Sequence, residues 1–386
     1  MTEPEALRFV GTNQVRWRRR TLIYFSGCDC FRLARDPRLA AAARKSLAEA
    51  GLNVAASRRT TGNHPIYTRL ETALAKNFGA ETALLLPDGY LAPLAAAQAL
   101  AGEFTHALID EFAHGALVDA AKMLGCPIKI FRHRDAEDLR KTISHSGKNS
   151  RPAVFTDGMF AHDGSVAPLR DYLKHLPPGG IVLVDDAHGA GVLGATGKGS
   201  LEFACVGREK IIQCATLSKA FGSYGGVVLA AHAFREKILA SSRSFIGTTP
   251  LPPPLAGAAL AALEILRCEP ARRRRLFENL FFVRTQLRAA GWDIADTPGP
   301  IVRLPDFAAA ETEELKTRLL AAGIYPPLIK YSAASAQWIF RFVISSEHTP
   351  THLRKLVATL AAFRPRGVGK FSADTKIART RRTAPR

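Results

Sequence analysis

The chain has 386 residues, 47% of them hydrophobic and 23% charged, with a formal net charge of +19. That length holds a large core and two or more domains, and the composition is that of an ordinary globular protein, not a disordered or fibrous one. No apolar run approaches a membrane span, no secretory signal is expected from the opening residues, and six cysteines scattered without C-x-x-C spacing read as reduced thiols, not as a disulfide framework or zinc site.

Residues 1–50 read as an N-terminal arm, a short apolar strand (Thr21–Phe25) and an alanine-rich helix (Pro37–Ala50). From 51 to 265, strand-like runs alternate with helix-length segments: TALLL (82–86), HALID (106–110), PIKIF (127–131), AVFTD (153–157), IVLVDD (181–186), KIIQCATL (210–217) and GVVLA (226–230). Several are unbroken Val/Ile/Leu stretches, as expected of strands covered by helices on both faces. The alternation predicts an α/β fold with a mostly parallel seven-stranded sheet in a large domain. A proline-rich connection, GTTPLPPPLAG (247–257), leads into one long helix over roughly 255–290. Residues 266–365 form a smaller α+β domain that reads strand (DIADTP), helix (ETEELKTRLLAAG), strand (WIFRFVIS), helix (THLRKLVATLAAF). The basic, aperiodic residues 366–386 are expected to be a disordered tail.

The positive charge gathers at Arg16–Arg20, at Arg272–Arg275 and in the tail. It could serve a polyanion. None of the three stretches carries a nucleic-acid module, so solvated surface is the favoured reading and nucleic acid is not expected as a partner. Reduced thiols suit a cytoplasmic protein.

Ligands of such sheets bind beyond the carboxyl ends of the strands. There the sequence places Asp88, Gly89 and Tyr90, then His114, then Asp185 and His188, then Thr216, Ser218 and Lys219. Each has a plain structural reading: a cap, a bonded histidine, a surface lysine. Together they are the set that pyridoxal phosphate (PLP) chemistry requires. A lysine amine forms a Schiff base with the cofactor aldehyde, and a carboxylate facing the pyridine nitrogen keeps it protonated. A histidine can bond the ring hydroxyl, and a second flat side chain can stack on the ring. A glycine turn entering a helix, here LPDGYLAPL, offers N–H groups to the phosphate. The competing GAGVLG (189–194) matches G-x-G-x-x-G, but no acid follows about twenty residues on, so it is a weak nicotinamide signal. No metal site is expected.

With these residues in view, the chain resembles the α-oxoamine synthase family of fold-type I PLP enzymes over roughly residues 20–365, most of all its 8-amino-7-oxononanoate synthase branch. The resemblance rests on VDDAHGAGVLGATGKGS (184–200), ATLSKAFGSYGG (215–226), DGMFAHDGSVAPL (157–169) and SRRTTGNHPIYTRLETALAKNFGAETALLLPDGY (57–90). It implies an aspartate aminotransferase-like fold. Lys219 would hold the cofactor and later move the Cα proton, Asp185 would pair with the pyridine nitrogen, His188 with the ring oxygen, and His114 would stack. Gly89, Tyr90 and Thr216 would meet the phosphate, and Thr249 would reach that of a neighbouring subunit, which implies a homodimer with its active site at the interface. Arg341 would grip the amino-acid carboxylate. The implied reaction condenses an amino acid with an acyl-CoA or acyl-carrier thioester, with decarboxylation, to an α-aminoketone.

The sequence departs from the family at the substrate side. Cys28 stands where the family has asparagine, Ala161 and His162 replace serine and methionine, Asp88 replaces serine and Pro93 asparagine, and IKYSAAS (329–335) replaces a proline-rich segment. Either the acyl donor or the amino acid has changed, or an ordinary synthase has drifted. An aminotransferase, or a C–C lyase that does not use CoA, is the alternative on the same fold. A basic, nucleic-acid-binding protein on a degenerate enzyme fold ranks below both.

Overall fold

The structure is a computed structural model that describes residues 6–147, 149–330 and 338–363. The chain opens with strands β1 (Arg8–Val10), β2 (Gln14–Trp17) and β3 (Arg20–Tyr24), paired antiparallel in sequence. Seven strands follow: β4 (Thr82–Leu86), β5 (His106–Asp110), β6 (Ile128–Phe131), β7 (Pro152–Asp157), β8 (Ile181–Asp185), β9 (Ile211–Thr216) and β10 (Gly226–Ala230). They form one sheet in the order β4-β10-β9-β8-β7-β5-β6. Strand β10 runs antiparallel to both neighbours; the remaining pairs are parallel.

The apolar runs form these strands because both faces are covered. On one face Leu84, Ile109, Phe155, Leu183 and Cys214 pack under helices Leu91–Ala99 and Gly115–Lys122. Their alternates face the other way, Leu85 and Val227 onto helices Pro65–Phe78 and Pro253–Cys268, and Val154 and Val182 onto helix Leu169–His175. Parallel crossovers place every βα connection beyond the carboxyl edge.

The C-terminal part holds β11 (Ile301–Arg303), β12 (Ile324–Tyr325), β13 (Leu328–Ile329) and β14 (Ile339–Val343). Strands β11, β14 and β13 form an antiparallel sheet packed by helices Ala271–Ala289, Ala309–Ala321 and Pro350–Ala361 through Val283, Leu315 and Leu356. Strand β12 pairs in parallel with β3, and Ile23 and Phe25 join this core, so the N-terminal strands extend the C-terminal unit.

Two expectations are corrected. The long helix over 255–290 is two helices, Pro253–Cys268 and Ala271–Ala289. Pro270 supplies no N–H and forces Glu269 out of helical geometry, to φ −118° and ψ 61°. DIADTP is irregular, and the first strand of that unit is β11. The buried Arg284 guanidinium donates to Thr297 O and Oγ1, Gly299 O and Ile301 O, taking carbonyls that a ladder would otherwise use. Residues 331–335 of the IKYSAAS stretch and the tail 366–386 lie outside the described residues.

The Arg272–Arg275 cluster is spent on the fold. Arg272 pairs with Asp36, Glu269 and Glu347, Arg275 with Glu347 and Arg274 with Glu278. Arg273 reaches the carbonyls of Gly191 and Ala195. Among the described residues no helix is long and apolar enough to cross a membrane.

Candidate active site

The strand ends converge as the topology requires. Asp185 closes β8, and His188 lies in the turn after it. Lys219 stands three residues beyond β9. His114 lies between β5 and helix Gly115–Lys122, where its Nδ1 accepts the Ala116 N–H at 3.2 Å and caps the helix. The His114 ring is exposed, with the Tyr90 ring edge-on at 6.2 Å, so a face is open for stacking.

The electrostatics tie these groups together. Burial raises the Asp185 carboxyl above its usual range, against the pull of the Lys219 and His114 charges and the Ala187 N–H, which donates to Oδ1 at 3.0 Å. Burial also holds the His188 imidazole well below its usual range, helped by Lys219, Arg341 and His114, so it is neutral. A buried carboxylate of this kind is stabilised by a cation placed against it. A protonated pyridine nitrogen is such a cation.

Sequence reasoning gave no role to Asp157. It ends β7 in direct register with Asp185 on β8, and its Oδ2 accepts the His114 N–H at 2.8 Å. Burial and the adjoining Asp185 charge push its carboxyl well up. The signal was present, an acid closing a strand run next to one already singled out, but only the pairing register shows that the two meet. Asp186 was also passed over. Its Oδ2 accepts from Ser200 N at 2.8 Å and Gln213 Nε2 at 2.7 Å. Added Cβ atoms on Gly158, Gly189 and Gly199 would stand 2.4, 2.1 and 1.9 Å from its carboxylate oxygens. Asp186 thus gathers the loop that carries His188.

A cradle lies at the other end. Gly89 presses so closely on β9 that a Cβ there would stand 2.7 Å from Thr216 Cβ. Thr216 is buried, and its Oγ1 bonds Gly225 O at 3.0 Å and Ser218 Oγ at 2.8 Å, while Ser218 is exposed. Tyr90 donates its hydroxyl to Asp119. Asp88 Oδ1 accepts the Leu91 N–H at 2.9 Å and so caps the helix.

Arg341, on β14, is buried and carries Nη2 3.7 Å from Cys28 Sγ. Its charge acts on His188 and on Tyr24, which places it near this group. Thr249 is exposed, and no hydrogen bond between described residues ties it to this group. His162 is pushed down to about 4 by burial and lies edge-on to Phe112 and His133. Among the described residues no cluster of His, Cys, Asp and Glu could hold a metal.

The residues present fit PLP: an amine whose charge acts on a buried carboxylate, a neutral imidazole near them, an exposed histidine ring, and a turn too tight for any side chain at Gly89.

Comparison with known proteins agrees. A family model described as aminotransferase class I and II matches residues 32–360. The 8-amino-7-oxononanoate synthase of Thioalkalivibrio sulfidiphilus is 35% identical over 348 residues, 88% of each chain. That of Hahella chejuensis is 35% identical over 353 residues, 89% of this chain and 88% of that one. The serine palmitoyltransferase of Sphingomonas wittichii superposes with a TM-score of 0.87 at 26% identity, covering 94% of this chain and 92% of that one. The S. paucimobilis serine palmitoyltransferase, solved with PLP and myriocin bound, gives 0.86 at 26% identity, with the same coverage. The chain belongs to the aminotransferase class I and II family and, within it, to the PLP-dependent α-oxoamine synthases.

Proposed function

We propose that the protein joins an amino acid to an acyl-CoA or acyl-carrier thioester, with loss of carbon dioxide, to give an α-aminoketone, as an 8-amino-7-oxononanoate synthase-like acyltransferase. The observation that carries this is the placement of Lys219, Asp185 and His188 just beyond adjacent strand ends of one sheet, where the Lys219 charge acts on both groups and the Arg341 charge on His188. PLP, when bound, supplies an aldehyde for the amine and a ring that accepts the electron pair from Cα. Asp185 would hold a proton on the ring nitrogen, and neutral His188 would bond the ring oxygen. His114 covers one ring face, and Asp157 fixes the main chain that presents it. Gly89, Tyr90 and Thr216 receive the phosphate. Lys219 would anchor the cofactor through its amine and, once freed from it, would take the proton from Cα. Arg341 holds the substrate carboxylate bidentately, with Cys28 beside it.

In this reading residues 1–50 lead in, residues 51–265 carry the cofactor, residues 266–365 supply Arg341, and residues 366–386 are a basic tail. The exposed Thr249 serves the neighbouring subunit of a homodimer, and the six free cysteines suit the cytoplasm.

An absorbance spectrum tests the cofactor. Wild type reconstituted with PLP shows the visible band of the bound cofactor, and Lys219→Ala does not. Release of CoA thiol that requires both amino acid and acyl-CoA supports the synthase. Keto-acid exchange without CoA would replace it with a transaminase.

A further inference from the structure

The phosphate end of the cleft is weaker than its fold allows. A helix N-terminus favours an anion through its free N–H groups and dipole. Here the helix Leu91–Ala99 has already committed part of that capacity. Asp88 Oδ1 takes the Leu91 N–H at 2.9 Å, and Pro93, two residues on, has no N–H to give. Among the described residues, no arginine or lysine hydrogen-bonds to Gly89, Tyr90, Thr216 or Ser218, and the two hydroxyls bond chiefly to one another and to Gly225 O. Of the two charged side chains that adjoin the cradle in sequence, Lys219 on the β9 side and Asp88 on the helix side, the one at the helix N-terminus is an anion.

Its position is firm. The Asp88 carbonyl packs on β10 so tightly that a Cβ on Gly226 would stand 2.0 Å from it, and Gly89 abuts Thr216. The turn cannot swing away from the strand ends, and the cap holds the carboxylate against the helix that the phosphate must approach.

We propose that Asp88 sets the affinity for the cofactor by opposing its phosphate, so that this protein holds PLP about tenfold more weakly than a neutral residue at position 88 would allow, and exchanges it readily. The inference rests on the PLP reading above. In a site of effective dielectric about 20, two like unit charges within about 12 Å of each other repel by more than the ~1.4 kcal/mol of a tenfold change.

The test titrates apoprotein with PLP and, separately, with pyridoxal, which has the same aldehyde and ring but no phosphate, following the bound-cofactor absorbance. Asp88→Asn and Asp88→Ser both keep an oxygen for the Leu91 N–H, so the helix cap survives. Both variants should bind PLP about tenfold tighter and release it more slowly, with pyridoxal affinity unchanged, and added salt should narrow the gap from wild type. Equal PLP affinity in wild type and variants overturns the proposal, as does an equal gain for pyridoxal. Wild type that takes up neither form overturns the PLP reading itself, and this inference with it.

Discussion

Asp186 offers the sharpest quantitative prediction. Burial lifts its carboxyl from the ordinary 3.8 to about 7, against the hydrogen bonds from Ser200 and Gln213. Each pH unit of such a difference corresponds to about 1.4 kcal/mol, so ionising Asp186 inside the fold costs about 4 kcal/mol. The folded-state value is the raised one. Its stabilising contribution is therefore complete below pH 3.8, declines as pH rises, and is gone above about 7. The geometry has a place for the proton. Among the described residues Asp186 Oδ1 and Ser200 Oγ have no hydrogen-bond partner, and both stand 2.4 Å from the point a Gly158 Cβ would occupy. A proton on Oδ1 can meet that hydroxyl. Asp186→Asn reproduces the protonated form, its oxygen accepting from Ser200 and Gln213 and its amide facing Ser200 Oγ. Urea unfolding of apoprotein at about pH 5 and about pH 8 should show wild type losing about 3 kcal/mol relative to Asp186→Asn between the two. Titrating groups remote from Asp186 cancel in that difference, and the neighbouring Asp185 charge adds to the effect. Parallel pH profiles for the two proteins would refute the argument.

Two further outcomes follow from the same contacts. Gly89→Ala drives a methyl to 2.7 Å from Thr216 Cβ; the turn must shift, lowering stability by about 1–3 kcal/mol and PLP affinity at least about tenfold, read by urea unfolding and by the cofactor absorbance. Asp157→Ala strips the acceptor from the His114 N–H and should cost about 1–3 kcal/mol in urea unfolding, whereas Asp157→Asn, which keeps an acceptor oxygen, should recover most of it.

The strand ends were readable for a physical reason. Strands β4, β5 and β10 occupy the expected runs residue for residue, because sheets covered on both faces demand uninterrupted apolar stretches. Chemistry then has to follow those runs, and Lys219, Asp185 and His188 stand where that logic placed them. The helix break was missed because apolar periodicity continues across Glu269 and Pro270, and a proline heading a second helix reads much like one kinking a single helix. Asp157 and Asp186 were missed for another reason: an acid at a strand end equally suits a cap or a turn. Only three-dimensional register brings three buried acids into one patch, each with its carboxyl raised by burial. Such a concentration destabilises the fold unless each acid has a counterpart. Asp157 has the His114 N–H, and Asp186 has Ser200 and Gln213. Asp185 receives one main-chain N–H and the distributed pull of Lys219 and His114, the least complete satisfaction of the three. That shortfall is what a protonated heterocycle would complete, and it makes the cofactor part of the electrostatic balance of the fold.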